Sequence, residues 1–280
     1  MSPLFSILIA NFNNGRFLQE AIDSVLDQTY INWEIVIVDD KSTDNSSEIY
    51  EKYKKDRRFH VFFNKENKGC GYTKRLCVEL SHGELCGFLD PDDVLLPNAL
   101  IKMVEAHSQN EDASLVLSRL YVCDEKLNVL RENRKLCIKE GEGYFTNGDY
   151  AQECFASFKK GFYAKTDGIA SYLKKAVDQD LYFKLDEVGQ CVVLDDFTYK
   201  FRLVDSGISH EDSGIPATYW NLIVRYETCK RRGLDPMQFS FNGFKEYCLH
   251  WYRAGENKAC RSKPYRLGKA LLNPFAFLKR

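Results

Sequence analysis

Three aspartates, Asp90, Asp92 and Asp93, crowd into four positions at the end of the apolar run Leu85-Cys86-Gly87-Phe88-Leu89. Like charges this close repel one another unless a cation is near. Carboxylate oxygens suit Mg²⁺ or Mn²⁺, and Mg²⁺ is commonly held by one or two carboxylates together with substrate phosphates. A metal–diphosphate site is therefore one reading of this stretch. The other is an acidic turn whose aspartates cap a helix starting near Pro97. Two more polar clusters stand at the ends of apolar runs: Asn11-Phe12-Asn13-Asn14-Gly15 after Phe5 to Ala10, and Asp39-Asp40 after Trp33 to Val38.

The apolar runs predict strands at Phe5 to Ala10, Trp33 to Val38, Phe59 to Phe63 and Leu85 to Leu89. Helical spacing of Phe17, Leu18, Ala21, Ile22, Val25 and Leu26 predicts the first intervening helix. Ser42 or Thr43 is a candidate N-cap for a second helix running through Ile49 and Tyr53, and Thr73 to Leu80 forms a third. Strands alternating with helices imply βαβ units and a parallel sheet. Three of the four strands end in loops rich in Asn or Asp. In a doubly wound sheet such loops share one edge and can converge on one ligand. Further on, the pattern predicts a helix from Leu95 to His107 and a strand from Ala113 to Cys123. A turn follows over Asp124 to Asn128, then a charged excursion from Arg131 to Gly143. A strand over Phe158 to Lys165 and a helix within Ile169 to Leu185 come next. Val192 to Leu194 pairs with Phe197 to Leu203, and a helix runs from Tyr219 to Arg232.

The 280 residues suffice for one large α/β domain with additions or for two small ones, and 44% hydrophobic content supports a full core. A net charge of −1 lacks the basic footprint of a nucleic-acid binder. The ten cysteines show no CxxC pair and no Cys/His ligand cluster, which points to reduced, buried thiols and a reducing compartment. The apolar N-terminal run is too short for a signal peptide, and no segment approaches the roughly 20 apolar residues of a membrane span. These features together lead to an expected cytoplasmic location.

Taken in order, the motifs resemble family 2 glycosyltransferases, inverting enzymes of the GT-A fold. The resemblance rests on Ser6 to Asn13, the Gln28-Thr29-Tyr30 turn, Ile35 to Asp44, the Asn67-Lys68-Gly69 loop, Gly83 to Asp93, and Asp178-Gln179-Asp180-Leu181, and it covers about residues 4 to 210. It implies a Rossmann-like, mainly parallel central sheet flanked by helices. The implied catalytic domain covers residues 1–215, with a nucleotide-sugar half (1–110) and an acceptor half (111–215); beyond the resemblance, the dense aromatics of 216–280 are read as a helical extension. By resemblance, Asp92 and Asp90 form the DxD pair: Asp92 binds the divalent metal, Mn²⁺ or Mg²⁺, and Asp90 contacts metal or ribose. Asp93 is structural or caps a helix. Asp40 accepts a hydrogen bond from the nucleotide base, Asn11 and Phe12 contact base and ribose, and Asp39 is structural. Lys74 or Arg75 meets the phosphates or the base, at positions where the family has Arg then Asn. Lys41 stands where the family has Gly. Asp178 is the candidate catalytic base and Asp180 a structural carboxylate. His210 is either a metal ligand or a surface histidine.

In the C-terminal stretch, residues 258–280 carry Lys258, Arg261, Lys263, Arg266, Lys269, Lys279 and Arg280 with no acidic residue, interspersed with apolar side chains. Such a segment can lie on an anionic membrane face or pack on the catalytic domain as a terminal helix. The expectation is thus inverting transfer of a sugar from a nucleotide donor, a UDP-sugar first, to a hydroxyl of a glycan or lipid-linked acceptor in surface polysaccharide synthesis. Peripheral membrane contact would run through the basic segment. Two rival readings are a non-catalytic sugar-nucleotide or glycan-binding domain and a nucleotidyltransferase. The second would require a Gly-rich basic loop after the first strand, which Asn11 to Gly15 does not supply.

Overall fold

The computed structural model describes residues 2–133, 138, 142–147, 155–204 and 217–236. His210 and the basic segment 258–280 lie outside the described residues. By contact density the chain divides between Asn221 and Leu222.

The first half alternates strand and helix as the apolar periodicity requires: β1 (Phe5–Asn11), α1 (Gly15–Leu26), β2 (Trp33–Asp39), α2 (Ser46–Tyr53), β3 (Phe59–Phe63), α3 (Cys70–Leu80) and β4 (Leu85–Phe88). Strand β1 pairs in parallel with both β2 and β4, and β2 with β3. Every residue of β2 is buried, as expected of a parallel strand covered on both faces. Ile7, Ile9, Ile35 and Ile37 are fully buried, each such side chain contributing about 1.5–3 kcal/mol of hydrophobic stabilisation. Because these strands are parallel, their carboxyl ends share one edge. The register sets Asn11 beside Asp39, and the Leu89 N–H donates to the Leu8 carbonyl at 3.0 Å, so the Asp90 turn leaves from that edge too.

The second half closes the sheet with β5 (Val94–Leu95), α4 (Ala99–Gln109), β6 (Ala113–Cys123), β7 (Val129–Glu132), α5 (Tyr144–Asn147), β8 (Phe155–Lys159), α6 (Lys160–Tyr163), α7 (Val177–Asp186) and β9 (Gln190–Arg202). The strand order is β3-β2-β1-β4-β8-β6-β9-β5, with β7 paired to β6. Strand β8 runs antiparallel to β4 and β6, β9 runs parallel to β6, and β5 runs antiparallel to β9. The sheet is therefore mixed, parallel on the side of β3 and largely antiparallel beyond β4. Helix α8 (Ala217–Arg232) runs across that division and ends on Lys230, Arg231 and Arg232, cations that complement its carboxyl-terminal dipole.

Several expected elements differ. The strand expected over Phe158 to Lys165 ends at Lys159, the last residue with a partner on β4, and the chain turns into α6. Val192 to Leu194 and Phe197 to Leu203 do not pair with each other. Val192 to Leu194 and Phe197 to Arg202 are parts of the single strand β9, which follows β6 by shifting register. The intervening Asp195-Asp196 looks like a turn in sequence, but Arg119 and Lys102 pair with these carboxylates at 3.4 and 2.6 Å, so the strand continues. The helix expected from Leu95 starts at Ala99, because Val94 and Leu95 bond to β9 instead. Neither Ser42 nor Thr43 caps α2. Its N-cap is Asn45, while the Ser42 hydroxyl accepts the Asn13 N–H at 2.9 Å.

Candidate active site

At the end of β1, Asn11 is 1% exposed and turned inward, its amide within 3.2 Å of the Asp39 carboxylate, the Ser46 hydroxyl and the Tyr50 hydroxyl. Asp39 also accepts from the Tyr50 hydroxyl at 2.7 Å and from the Ser42 N–H at 2.7 Å. Burial, and next the Asp39 carboxylate, push the Tyr50 hydroxyl far above its ordinary value, so it remains a donor. This buried polar knot shapes the loop. Lys41 adopts φ 68, the left-handed conformation a glycine would take at no steric cost, so the turn keeps a glycine-like backbone despite the lysine. Phe12 is 45% exposed beside the knot.

The Asp40 carboxylate is buried and accepts three bonds at 2.8 Å, from Asn64 Nδ2 and from the N–H groups of Lys68 and Gly69. It thereby folds the 64–69 loop back onto the end of β2. Gly69 has φ 89, a backbone conformation open mainly to glycine, and it starts α3.

The 90–93 turn is held from beneath by β9. The Tyr199 hydroxyl donates to Asp93 Oδ2 at 2.8 Å and accepts the Asp90 N–H at 3.3 Å. The Arg202 N–H donates to Asp93 Oδ1 at 2.6 Å, and its guanidinium donates to the Asp92 carbonyl at 2.7 Å while packing over the Phe17 ring. Asp93 is 2% exposed, and burial, then Asp92 and Asp90, push its carboxyl well above the usual range. It is a structural carboxylate and caps no helix: α4 has Asn98 as its N-cap. Asp92 makes no side-chain hydrogen bond to the described residues; burial first, and the neighbouring Asp90 second, push it up to about 6.

Opposite this turn, α7 begins after Ala176, whose φ of 57 is left-handed for a non-glycine residue and bends the chain so that Asp178 faces the sheet edge. Asp178 and Asp180 lie in the first helical turn, where the helix dipole favours anions. They divide the work: Asp180 is buried, accepting from the Ala170 N–H and from Lys184 Nζ, both at 2.8 Å. Asp178 stays 44% exposed at the level of its side chain. Between Asp178 and the turn sits Lys74. Its Nζ lies 2.8 Å from Asp178 Oδ1 and 3.1 Å from Asp90 Oδ1, above the Phe88 ring. Burial alone would lower the Lys74 pKa, but the two carboxylates outweigh it and hold the ammonium charged. Arg75, the alternative, points away, to Glu79 and the carbonyls of Asp167 and Ile169.

The structure thus brings Asp90, Asp92, Lys74 and Asp178 together at the carboxyl edge. Asp40 and Asn11 lie at the same edge but beneath its surface, already hydrogen-bonded. Asp92 supplies carboxylate oxygens whose ionisation is disfavoured by burial and by a like charge, a setting that a divalent cation would relieve. The all-oxygen donor pair Asp90 and Asp92 fits Mg²⁺ or Mn²⁺. Tyr199 and Arg202 were not singled out from the sequence. The available signal was weak, a tyrosine and an arginine in the mixed run Phe197 to Leu203, where Lys200 is an equally plausible cation.

The chain belongs to glycosyl transferase family 2, whose pattern matches residues 6–181. It is 35% identical to the glycosyltransferase GlyG of Streptococcus pneumoniae over 126 residues, 45% of this chain and 42% of that one. It is 28% identical to the hyaluronan synthase of Pasteurella multocida over 236 residues, 83% of this chain and 24% of that protein. The chain spans about half or less of the length of the curated relatives it matches. Among solved structures, S. aureus TarS residues 1–349 in complex with UDP-GlcNAc superposes with a TM-score of 0.66 at 19% identity, covering 80% of this chain and 66% of that one. The fold is accordingly GT-A, as the motifs implied.

Proposed function

We propose that this chain is an inverting glycosyltransferase that moves a sugar from a nucleoside diphosphate, UDP first, to a hydroxyl of a glycan or lipid-linked acceptor in polysaccharide synthesis. The observation that carries the reading is the Lys74 bridge. One buried ammonium touches Asp90 of the expected DxD turn and Asp178 of α7, residues carried on different elements. Membership of the family, relatives named as polysaccharide synthases, and the UDP and UDP-GlcNAc complexes of TarS support the donor and product classes.

In this reading the Asp178 carboxylate accepts the proton of the acceptor hydroxyl as its oxygen bonds to the anomeric carbon and the bond to the diphosphate oxygen breaks. The acceptor approaches from the face opposite the diphosphate, which inverts the configuration. Lys74 keeps Asp178 oriented and places positive charge beside the departing diphosphate. Asp40 acts by ordering the 64–69 loop and presenting its remaining lone pair to an imide N–H of the base. Phe12 offers an exposed face for base or ribose, and Asn11 holds the loop that carries it. Asp92 and Asp90 would hold Mn²⁺ or Mg²⁺, which when bound neutralises charge on the leaving diphosphate. The basic segment 258–280 would hold the enzyme at the inner face of the membrane, within reach of a lipid-linked acceptor.

The test is a panel of nucleotide sugars with Mn²⁺ or Mg²⁺, scored for metal-dependent release of nucleoside diphosphate. Asp178→Asn should bind donor as the parent does and lose transfer by about 10²–10⁴-fold, the range for removing a general base. Parent-level transfer by that variant would remove Asp178 from the role. Donor binding without turnover across the whole panel would leave a sugar-nucleotide-binding domain instead.

A further inference from the structure

The amino edge of the sheet carries a second group of ligating side chains. Glu34 is the second residue of β2, His60 the second residue of β3, and His82 lies in the connection between α3 and β4. Glu34 precedes Asp40 by six residues along an extended strand, about 20 Å at roughly 3.3 Å per residue. This group is therefore remote from the carboxyl-edge site. Glu34 Oε2 lies 3.3 Å from His60 Nε2 and 3.0 Å from His82 Nδ1, and the three atoms all fall within 4.8 Å of one another.

Those spacings match a coordination polyhedron. Zinc bonds imidazole nitrogen at about 2.0–2.1 Å and carboxylate oxygen at about 2.0–2.2 Å, so adjacent ligands of a tetrahedral ion stand about 3.3 Å apart. The two edges that end on Glu34, at 3.3 and 3.0 Å, are close to that length. The third, between the two imidazole nitrogens, lies within 4.8 Å, and the His82 side chain, 64% exposed, is the part that can shift to close it. Glu34 is the part that cannot move. Its other oxygen, Oε1, accepts from the Ser6 hydroxyl at 2.6 Å and from the N–H groups of His82 and Gly83 at 2.6 and 3.2 Å. These bonds fix the plane of the carboxylate and leave Oε2 to the two imidazoles. Burial works against its charge, but the Ser6 and His82 hydrogen bonds more than offset it and keep the carboxyl ionised, as a metal ligand must be.

We propose that Glu34, His60 and His82 form a Zn²⁺ site, with a water in the fourth position on the solvent side of His82. Two imidazoles and one carboxylate suit zinc, whereas Mg²⁺ favours octahedral oxygen. The ion ties β2, β3 and the turn before β4 together, a structural role apart from transfer chemistry.

The test uses the full chain, stripped of metal with a chelator and titrated with Co²⁺ and then Zn²⁺. The expected result is a visible Co²⁺ spectrum of tetrahedral intensity, free of a thiolate band, reaching one equivalent and abolished by one equivalent of Zn²⁺, with a rise in melting temperature on Zn²⁺ addition. His82→Ala removes an exposed ring while its backbone N–H still reaches Glu34. The metal-free variant should melt with the metal-free parent, and its Zn²⁺ affinity should fall by at least about tenfold. His60→Ala should do the same, and Asp92→Asn should leave the spectrum intact, separating this site from the carboxyl edge. Unchanged zinc affinity in His82→Ala, a thiolate-bearing spectrum, or no Co²⁺ spectrum and no thermal shift would overturn the proposal. The last outcome would leave the trio as a hydrogen-bonded cluster only.

Discussion

Lys74 is buried to 4% exposure with its ammonium shared between Asp90 and Asp178. An unpaired lysine in that position would be driven toward the neutral form, so the carboxylates and the lysine depend on one another. Lys74→Gln keeps length and polarity but leaves two carboxylates facing each other without a cation. We expect kcat/KM to fall by about a hundredfold, as for removal of one preorganised charge-stabilising donor, with partial recovery in Lys74→Arg; transfer rates and donor-binding titrations read this directly. The fold should tolerate the change, because Asp90 and Asp178 keep side-chain exposures of 45% and 44% and can hydrate. The aspartates themselves were legible in sequence, since three acids at the end of an apolar run stand out. The bridge was not, because Lys74 and Asp178 are 104 positions apart. No local pattern states which side of α3 faces α7.

At the scale of elements, β9 does the positioning. Its Tyr199 hydroxyl joins the Asp90 N–H to the Asp93 carboxylate, so Tyr199→Phe leaves a buried acceptor short of a donor. That should cost about 1–3 kcal/mol in urea unfolding and weaken donor binding, while β9 itself still forms. A second element contact sets a pH response. His107 of α4 is buried against the Ser157 hydroxyl at 3.0 Å, and burial, then Lys159, lower its pKa from 6.5 to about 4. Between those values the unfolded chain binds a proton that the folded chain refuses. Stability is therefore full above about pH 6.5 and falls as the pH drops towards 4, by up to about 3 kcal/mol from this group. In His107→Gln, which can still bond Ser157, urea midpoints measured across that window should lose this part of the slope. An unchanged slope would assign the acid response to other groups. The elements that differ from expectation share one cause: at Asp195-Asp196 and at the end of β8, local composition does not set the strand, which continues or stops according to the partner beside it.

Over the molecule as a whole, the described cysteines are free thiols, and burial pushes Cys77 up to about 12 and Cys86 up to about 11. Neither forms appreciable thiolate in neutral buffer, so both should resist a thiol reagent until global unfolding, with labelling mapped by mass spectrometry rising only across the denaturation transition. Labelling in native buffer would reveal local opening of the sheet below α3. No described helix is long and apolar enough to cross a membrane. The sequence by itself determined the alternation of strand and helix, the polar ends of β1, β2 and β4, and through their order the family and the GT-A fold. Those are properties of hydrophobic periodicity and of short motifs, each written within a few consecutive residues. Tertiary structure alone decided that Asn11 and Asp40 lie beneath the edge while the Asp178 side chain stays 44% exposed. It also decided that Lys74 joins the Asp90 turn to α7, that Tyr199 and Arg202 hold the 90–93 turn, and that Glu34 meets two histidines. Each of those contacts links residues far apart in the chain, and the packing of whole elements determines which side chains meet.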